Sequence, residues 1–381
     1  MKGRHAGVGG SWLSRCFERA RLTRHVLSSA ESRRLLAARR FISGDSRHCA
    51  PSVKLPTVPG KRKFEEQLAS LDALRHAPEE SRTEALHRGL GNRNNFIVAK
   101  AADLVREFHS LDLIPQLLAA FDRFFDHPVK SDPQCWAKNA ISRALAGLEY
   151  QEAEVFLRGM QHIQMEPVWG GSSDTAGTLR ATCVLALVQC RSLTERDLLT
   201  HLVELLADKD KSVRAEVVLA IEQVGSPAAV LLLRLRAVLG MDEPEVLGAC
   251  YGAILRVEGV RAIPWLRRFL ASADDTAAEA ALAIAGTHSP EGFEALGECF
   301  STANDPWWRS VLLSAIALTR QDAALEFLLE LVKTESLDAE RALEALLRSR
   351  PSQDITDRLE ILVAGRPRLK RALAAHKREP S

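Results

Sequence analysis

The stretch DKSVRAEVVLAIEQVG at 210–225 constrains this chain more than any other feature, because its pattern recurs along the sequence. Val213, Val217, Ala220, Ile221 and Val224 fall at three- and four-residue spacing and so share one face of an α-helix. Asp210 stands where its carboxylate can accept from the free N–H groups of a first turn. Gly225 stands where a left-handed residue can end the helix. Val218 and Leu219 lie off the stripe, so the helix needs neighbours on more than one side.

NDPWWRSVLLSAIALT at 304–319 has the same grammar: Asp305, then Trp308-Arg309 in the places of Val213-Arg214, then Leu312, Ala315 and Ile316 inward. EPEVLGACYGAILRVEG (243–259), DDTAAEAALAIAG (274–286) and SLDAERALEALLRS (336–349) continue the series. With Val213, Val246, Ala277, Trp308 and Ala339 taken as equivalent, the steps are 33, 31, 31 and 31 residues. Leu179 precedes Val213 by 34, and Ala137 and Ala99 fit more loosely at 42 and 38. Each unit also carries a second apolar helix, such as DLLTHLVELLAD or AALEFLLELVKT. A two-helix unit of this length that cannot bury its apolar faces alone predicts an all-α fold, an α-solenoid.

The run LVELLADKDKSVRAEVVLAIEQVGSPAAVLLLRL resembles HEAT repeats, most nearly the short type also found in phycobilisome-lyase-like proteins. The shared features are an apolar first helix, an Asp-rich turn, a Val-Arg pair opening the second helix, and a Gly-x-Pro-like break. The resemblance covers roughly residues 80–365 and is close at 179–335. The Val-Arg pair is intact at 213–214, varied at Leu179-Arg180 and Trp308-Arg309, and missing at Val246-Leu247 and Ala277-Ala278. HEAT resemblance implies a fold strongly and a function hardly at all, since unrelated activities share it.

Aromatic residues make up 6% of the chain and β-branched alternation is absent, which argues against a sheet. No apolar run approaches the ~20 residues a bilayer span needs, and AAVLLL at 228–233 reads as a buried helix turn. The seven cysteines are scattered and form no CxxC or Cys/His cluster, so neither a disulfide framework nor a zinc site is supported. Cys183 and Cys190 read as small core residues of a reducing compartment.

Charge divides the chain. Residues 1–63 hold 15 Lys and Arg against three acids, which leaves residues 64–381 at −10. An acidic repeat region is a poor phosphate binder, so it is not expected to grip nucleic acid. The leader, residues 1–60, is Arg- and Ser-rich and loosely amphipathic. It resembles an organelle transit peptide and also fits a disordered extension. Location is accordingly read as cytoplasmic, or an organelle matrix if the leader is a transit peptide. CAPSVKLPTVPGKRK at 49–63 reads as a Pro-rich linker. The repeat body is expected over 61–366, with a loop insertion near 161–177, followed by a basic C-terminal tail at 367–381.

The residues supply little catalytic chemistry. EPVWGGSSDTAGT (166–178) lacks the Lys-Ser/Thr of a phosphate loop and the Gly-x-Ser-x-Gly of a hydrolase elbow. It reads as a flexible insertion or, beside Trp169, as a ligand loop. His109, His127, His162 and His201 stand singly, and no metal or cofactor is expected. The expected function is a non-enzymatic scaffold or adaptor that holds a protein partner along its concave face. Two alternatives stand beside it. One is a HEAT-like enzyme of the bilin-lyase or DNA-alkylation-repair kind. The other is a nucleic-acid or membrane-surface binder acting through the leader.

The nominated partner-binding residues are Trp307, Arg309 and Arg214. Aligning DKSVRAEVV with DPWWRSVLL makes Trp308 a core residue. The same alignment puts Trp307 at a polar position, either exposed to a partner or covering the edge of the adjacent repeat.

Overall fold

A computed structural model describes residues 59–334, 336–349 and 351–376. Residues 1–58, which include the basic leader and most of the linker, lie outside the described residues. By internal packing the chain forms two compact units, with the boundary between Leu232 and Leu233.

The N-terminal unit comprises α1 (Pro59–Asp72), α2 (Glu79–Leu90), α3 (Asn95–Glu107), α4 (Ile114–Arg123), the one-turn α5 (Pro128–Ser131) and α6 (Trp136–Gly147). It continues through α7 (Glu154–Met160), β1 (Met165–Val168), β2 (Gly171–Asp174), α8 (Gly177–Leu187), α9 (Glu195–Leu205) and α10 (Lys211–Val224). α11 (Pro227–Leu239) follows and contains the boundary. α2 packs on α3, α4 on α6, α7 on α8 and α9 on α10, while α3, α6, α8 and α10 stack in chain order. Two such layers bury the faces that no single helix pair could cover.

The C-terminal unit repeats this plan with α12 (Pro244–Glu258), α13 (Ile263–Leu266) with its 3-10 extension Arg267–Ser272, and α14 (Asp275–Ala285). It goes on through α15 (Pro290–Thr302), α16 (Pro306–Thr319), α17 (Asp322–Lys333), α18 (Ala339–Arg348), α19 (Gln353–Val363) and α20 (Pro367–His376). α12, α14, α16, α18 and α20 stack in order, with α15, α17 and α19 on the outer layer. The fold is an all-α solenoid.

The helix boundaries follow from local chemistry. Asp210, Asp274 and Asp305 accept from the N–H groups of Ser212, Ala277 and Trp308, each capping a first turn. Gly225 closes α10 at φ 65°, where a side chain would be strained. Val213, Val217, Ala220 and Ile221 are fully buried, as their spacing requires. In α3 the cap is Asn94, so Ile97 occupies the place of Val213 and Ala99 lies two residues further in.

Two segments differ from the sequence reading. The stretch at 161–177 is not a loose insertion, because β1 and β2 form an antiparallel hairpin with Val168 opposite Gly171 and Met165 opposite Asp174. Pro167 faces Ser172 at a position that needs no N–H from it, which is why a proline is tolerated there. The supposed tail at 367–381 begins as a packed helix: α20 buries Leu369 and Leu373 against α18 and α19. Cys135, Cys183, Cys190 and Cys250 are buried free thiols. Burial pushes Cys135, Cys183 and Cys250 up to about 12 and Cys190 to about 11, so they are not poised as nucleophiles.

Candidate interaction surface

The residue after the first inward position of a stacked helix is a cation in four repeats, and each cation is engaged within its own unit. Lys138 is completely buried; its Nζ donates to Phe124 O at 3.2 Å and to Gln164 Oε1 at 3.1 Å and lies 3.2 Å from Asp132 Oδ2. Arg180 bridges Asp174, Asp208 and the carbonyl of His162. Arg214 donates to the carbonyls of Asp208 and Lys209 at 2.7 and 3.1 Å. Arg309 donates to the carbonyls of Phe300 and Ala303, forms a double contact with Asp338, and lies 4.0 Å over the Phe300 ring. These cations donate to carbonyls at helix ends and turns, and Lys138, Arg180 and Arg309 also reach a carboxylate. In α12 and α14 the same place holds Leu247 and Ala278, both buried.

Of the nominated site residues, Arg214 turns onto the carbonyls of its own preceding turn, and Arg309 reaches Asp338 of the next repeat. Trp308 is buried, and Trp307 is half-buried with its ring stacked on Trp308 at 6.2 Å between centroids. Trp307 and Arg309 belong to the same helix start, but Arg309 turns back onto Asp338 and Phe300.

A second arrangement, in the N-terminal unit, escaped the sequence reading. Gln134 and Cys135 are consecutive non-glycine residues in the left-handed region, at φ 57° and 55°. Such a turn costs roughly 1–3 kcal/mol per residue and persists only when its surroundings over-determine it. Here the hairpin does so: Glu166 Oε1 accepts from Gln134 N at 2.6 Å, from Gln164 Nε2 at 2.6 Å and from Thr175 Oγ1 at 2.7 Å. Asp132 accepts from the N–H groups of Ala137 and Lys138 and from Asn95 Nδ2. Gln164 Oε1 receives Lys138 and Cys135, and His162 Nε2 lies 3.0 Å from it.

Burial drives the His162 ring below its ordinary value, and the Gln164 contact only partly offsets this. Burial alone would raise the Glu166 and Asp174 carboxyls. Their hydrogen bonds outweigh it and hold both below the usual carboxylate values.

This buried network projects an apolar surface. Trp136 opens α6 with its side chain 49% exposed, and its Nε1 donates to Gln134 Oε1 at 3.4 Å. Its ring sits 5.4 Å from that of Phe96, itself 6.4 Å from Phe64, so aromatic side chains of α1, α3 and α6 follow one another. At the hairpin, Met165 and Val168 are exposed and Trp169 is fully exposed. Gln134 thus joins the two parts: its N–H is held by the hairpin while its side chain holds Trp136.

Reaction chemistry is sparse by comparison. Among the described residues no group of three or more His, Cys, Asp or Glu could hold a metal ion. No described helix is long and apolar enough to cross a membrane.

Stacked antiparallel helix pairs repeated along the chain define a helical-repeat protein. The family described as HEAT repeats matches residues 199–285, so that segment, which runs from α9 to α14, carries HEAT repeats. No curated protein matches the chain. Among solved structures, an engineered protein shares 15% identity over 85% of this chain and 97% of its own, with a TM-score of 0.31. Human deoxyhypusine hydroxylase, solved in complex with glycerol, shares 16% identity over 68% of this chain and 99% of its own, with a TM-score of 0.26. Scores this low carry no argument about activity.

Proposed function

We propose that this chain is a non-enzymatic HEAT-repeat scaffold that docks a protein partner on the aromatic surface of its N-terminal unit, through Phe96, Trp136, Met165 and Trp169. The observation that carries the reading is the strained Gln134–Cys135 turn, clamped by Glu166, which holds a half-exposed tryptophan outward. Strain that is locked in place by a buried network and spent on presenting an apolar side chain points to recognition rather than to packing. Tryptophan is also among the residue types that most often dominate binding energy. Trp307 is retained as a secondary contact, whereas Arg214 and Arg309 act through the fold.

The test is affinity capture from the native extract by the full chain, compared with its Trp136→Ser/Trp169→Ser double variant. A protein held by the wild type and weakened at least about tenfold by the double variant supports the proposal, provided the helicity is unchanged. Equal retention by the two chains contradicts it.

A further inference from the structure

The outer face of α11 is apolar where its sister helices are charged. α11, α15 and α17 enter in one register, with Pro227, Pro290 and Asp322 as first residues. Four positions point outward in all three. In α15 they hold Glu294, Glu298, Ser301 and Thr302, and in α17 they hold Glu326, Glu330, Lys333 and Thr334. In α11 they hold Leu231, Leu235, Val238 and Leu239, and Met241 follows one residue past the closing Gly240. These five side chains are 53–77% exposed, while Val230, Leu233 and Ala237 on the same helix are buried. The inward stripe is therefore already complete, and the outward one is a second stripe on which none of the described residues packs.

We infer that this stripe is the interface of a homodimer, in which α11 of one chain packs antiparallel against α11 of a second copy. Leu231, Leu235 and Val238 recur at spacings of four and three, the seam that two helices interdigitate. The flanking cations are neutralised: Arg234 meets Glu258 at 2.5 Å and lies over Trp265 at 4.5 Å, and Arg236 Nε meets Asp242 at 2.9 Å. The edges thus present no free cations to recruit an anionic lipid headgroup and no like charges to repel an identical edge.

Side chains this exposed amount to roughly 500 Å², the size of the largest patch an ordinary monomer shows. A twofold pairing removes about 1,000 Å² in total, the lower bound for a specific interface, so the dimer forms at micromolar concentrations. Leu235 lies at the middle of the stripe and faces its own copy across the twofold axis.

Sedimentation equilibrium of the full chain from about 1 to 100 µM tests this. The wild-type mass is expected to rise from 42.0 kDa towards twice that value. Leu235→Glu, which copies Glu298 and Glu330 of the sister helices, is expected to weaken association at least about 100-fold with unchanged helicity, because the symmetric pair buries the new carboxylate twice. If that variant melts early, Leu235→Cys keeps the position apolar. A bis-maleimide should then give a dimer band that the wild type lacks. A wild-type chain that stays at 42.0 kDa throughout overturns the inference. So does a Leu235→Glu chain that associates as tightly as the wild type, or a Leu235→Cys chain without the band.

Discussion

Arg180 and Asp208 meet across adjacent repeats through two parallel hydrogen bonds, Nε to Oδ2 at 2.7 Å and Nη2 to Oδ1 at 3.0 Å. Both side chains are more than nine-tenths buried. Removing Asp208 leaves the buried Arg180 with Asp174 as its remaining carboxylate, so Asp208→Ala is expected to cost about 2–3 kcal/mol in urea unfolding. Replacing both, as in Arg180→Met/Asp208→Leu, should recover most of that loss. If the double variant is as unstable as the single, the strut acts through the Asp174 and His162 contacts instead.

Acid should loosen three other carboxylate contacts. Burial would raise the Asp338 carboxyl, but Arg309 and Arg341 hold it below its ordinary 3.8. Asp174 and Glu166 are depressed in the same direction. A carboxyl depressed on folding stabilises above its unfolded value, and that stability is lost as the pH falls through the folded value. The contributions of all three are therefore complete above about pH 5 and fade below about pH 4.

Glu216 runs the other way, because burial raises its carboxyl above 4.5. Its contribution to stability is present below the unfolded value and lost as the pH rises through the folded one. Glu216→Gln should accordingly raise Tm at pH 7 and converge on the wild type below about pH 4. A pH series of thermal melts reads both effects, and a Glu216→Gln chain that melts lower at pH 7 contradicts the second.

The hairpin is held by one carboxylate oxygen. Glu166→Ala leaves the Gln134 N–H, Gln164 and Thr175 without that acceptor, at an expected cost of about 2–3 kcal/mol. Hydrogen exchange should accelerate at residues 132–138 as well as at 164–175. Acceleration confined to the hairpin would separate the strained turn from its clamp.

At the C-terminus, Leu373→Ala is expected to cost about 2–3 kcal/mol, because α20 closes the stack against α18. A basic tail that packs on nothing would tolerate the change with an unaltered melt.

The solenoid was legible because its signals are local. Asp210, Asp274 and Asp305 cap the helices they precede, and the apolar spacing after each puts the right residues inside. The hairpin was not legible, since VWGGSSD shows neither alternation nor a strong turn pair; its stability comes from Gln164 and Glu166 meeting Asp132 and Gln134, 32 residues earlier in the chain.

The arginines were visible as a pattern, but their purpose was not. Arg309 is committed to Asp338, 29 residues away, a contact that spacing alone does not reveal. AAVLLLRLRAVLG misled for a different reason. When nearly every position is apolar, periodicity cannot say which leucines face inward, and only the fold separates buried Leu233 from exposed Leu231 and Leu235.

The most direct test of the proposed function is hydrogen–deuterium exchange on the full chain with its captured partner bound. New protection is expected at residues 95–98, 134–138 and 163–172, where Phe96, Trp136, Met165 and Trp169 present the aromatic surface. Protection confined to residues 306–310, or absent from the hairpin and the Gln134–Cys135 turn, would contradict it.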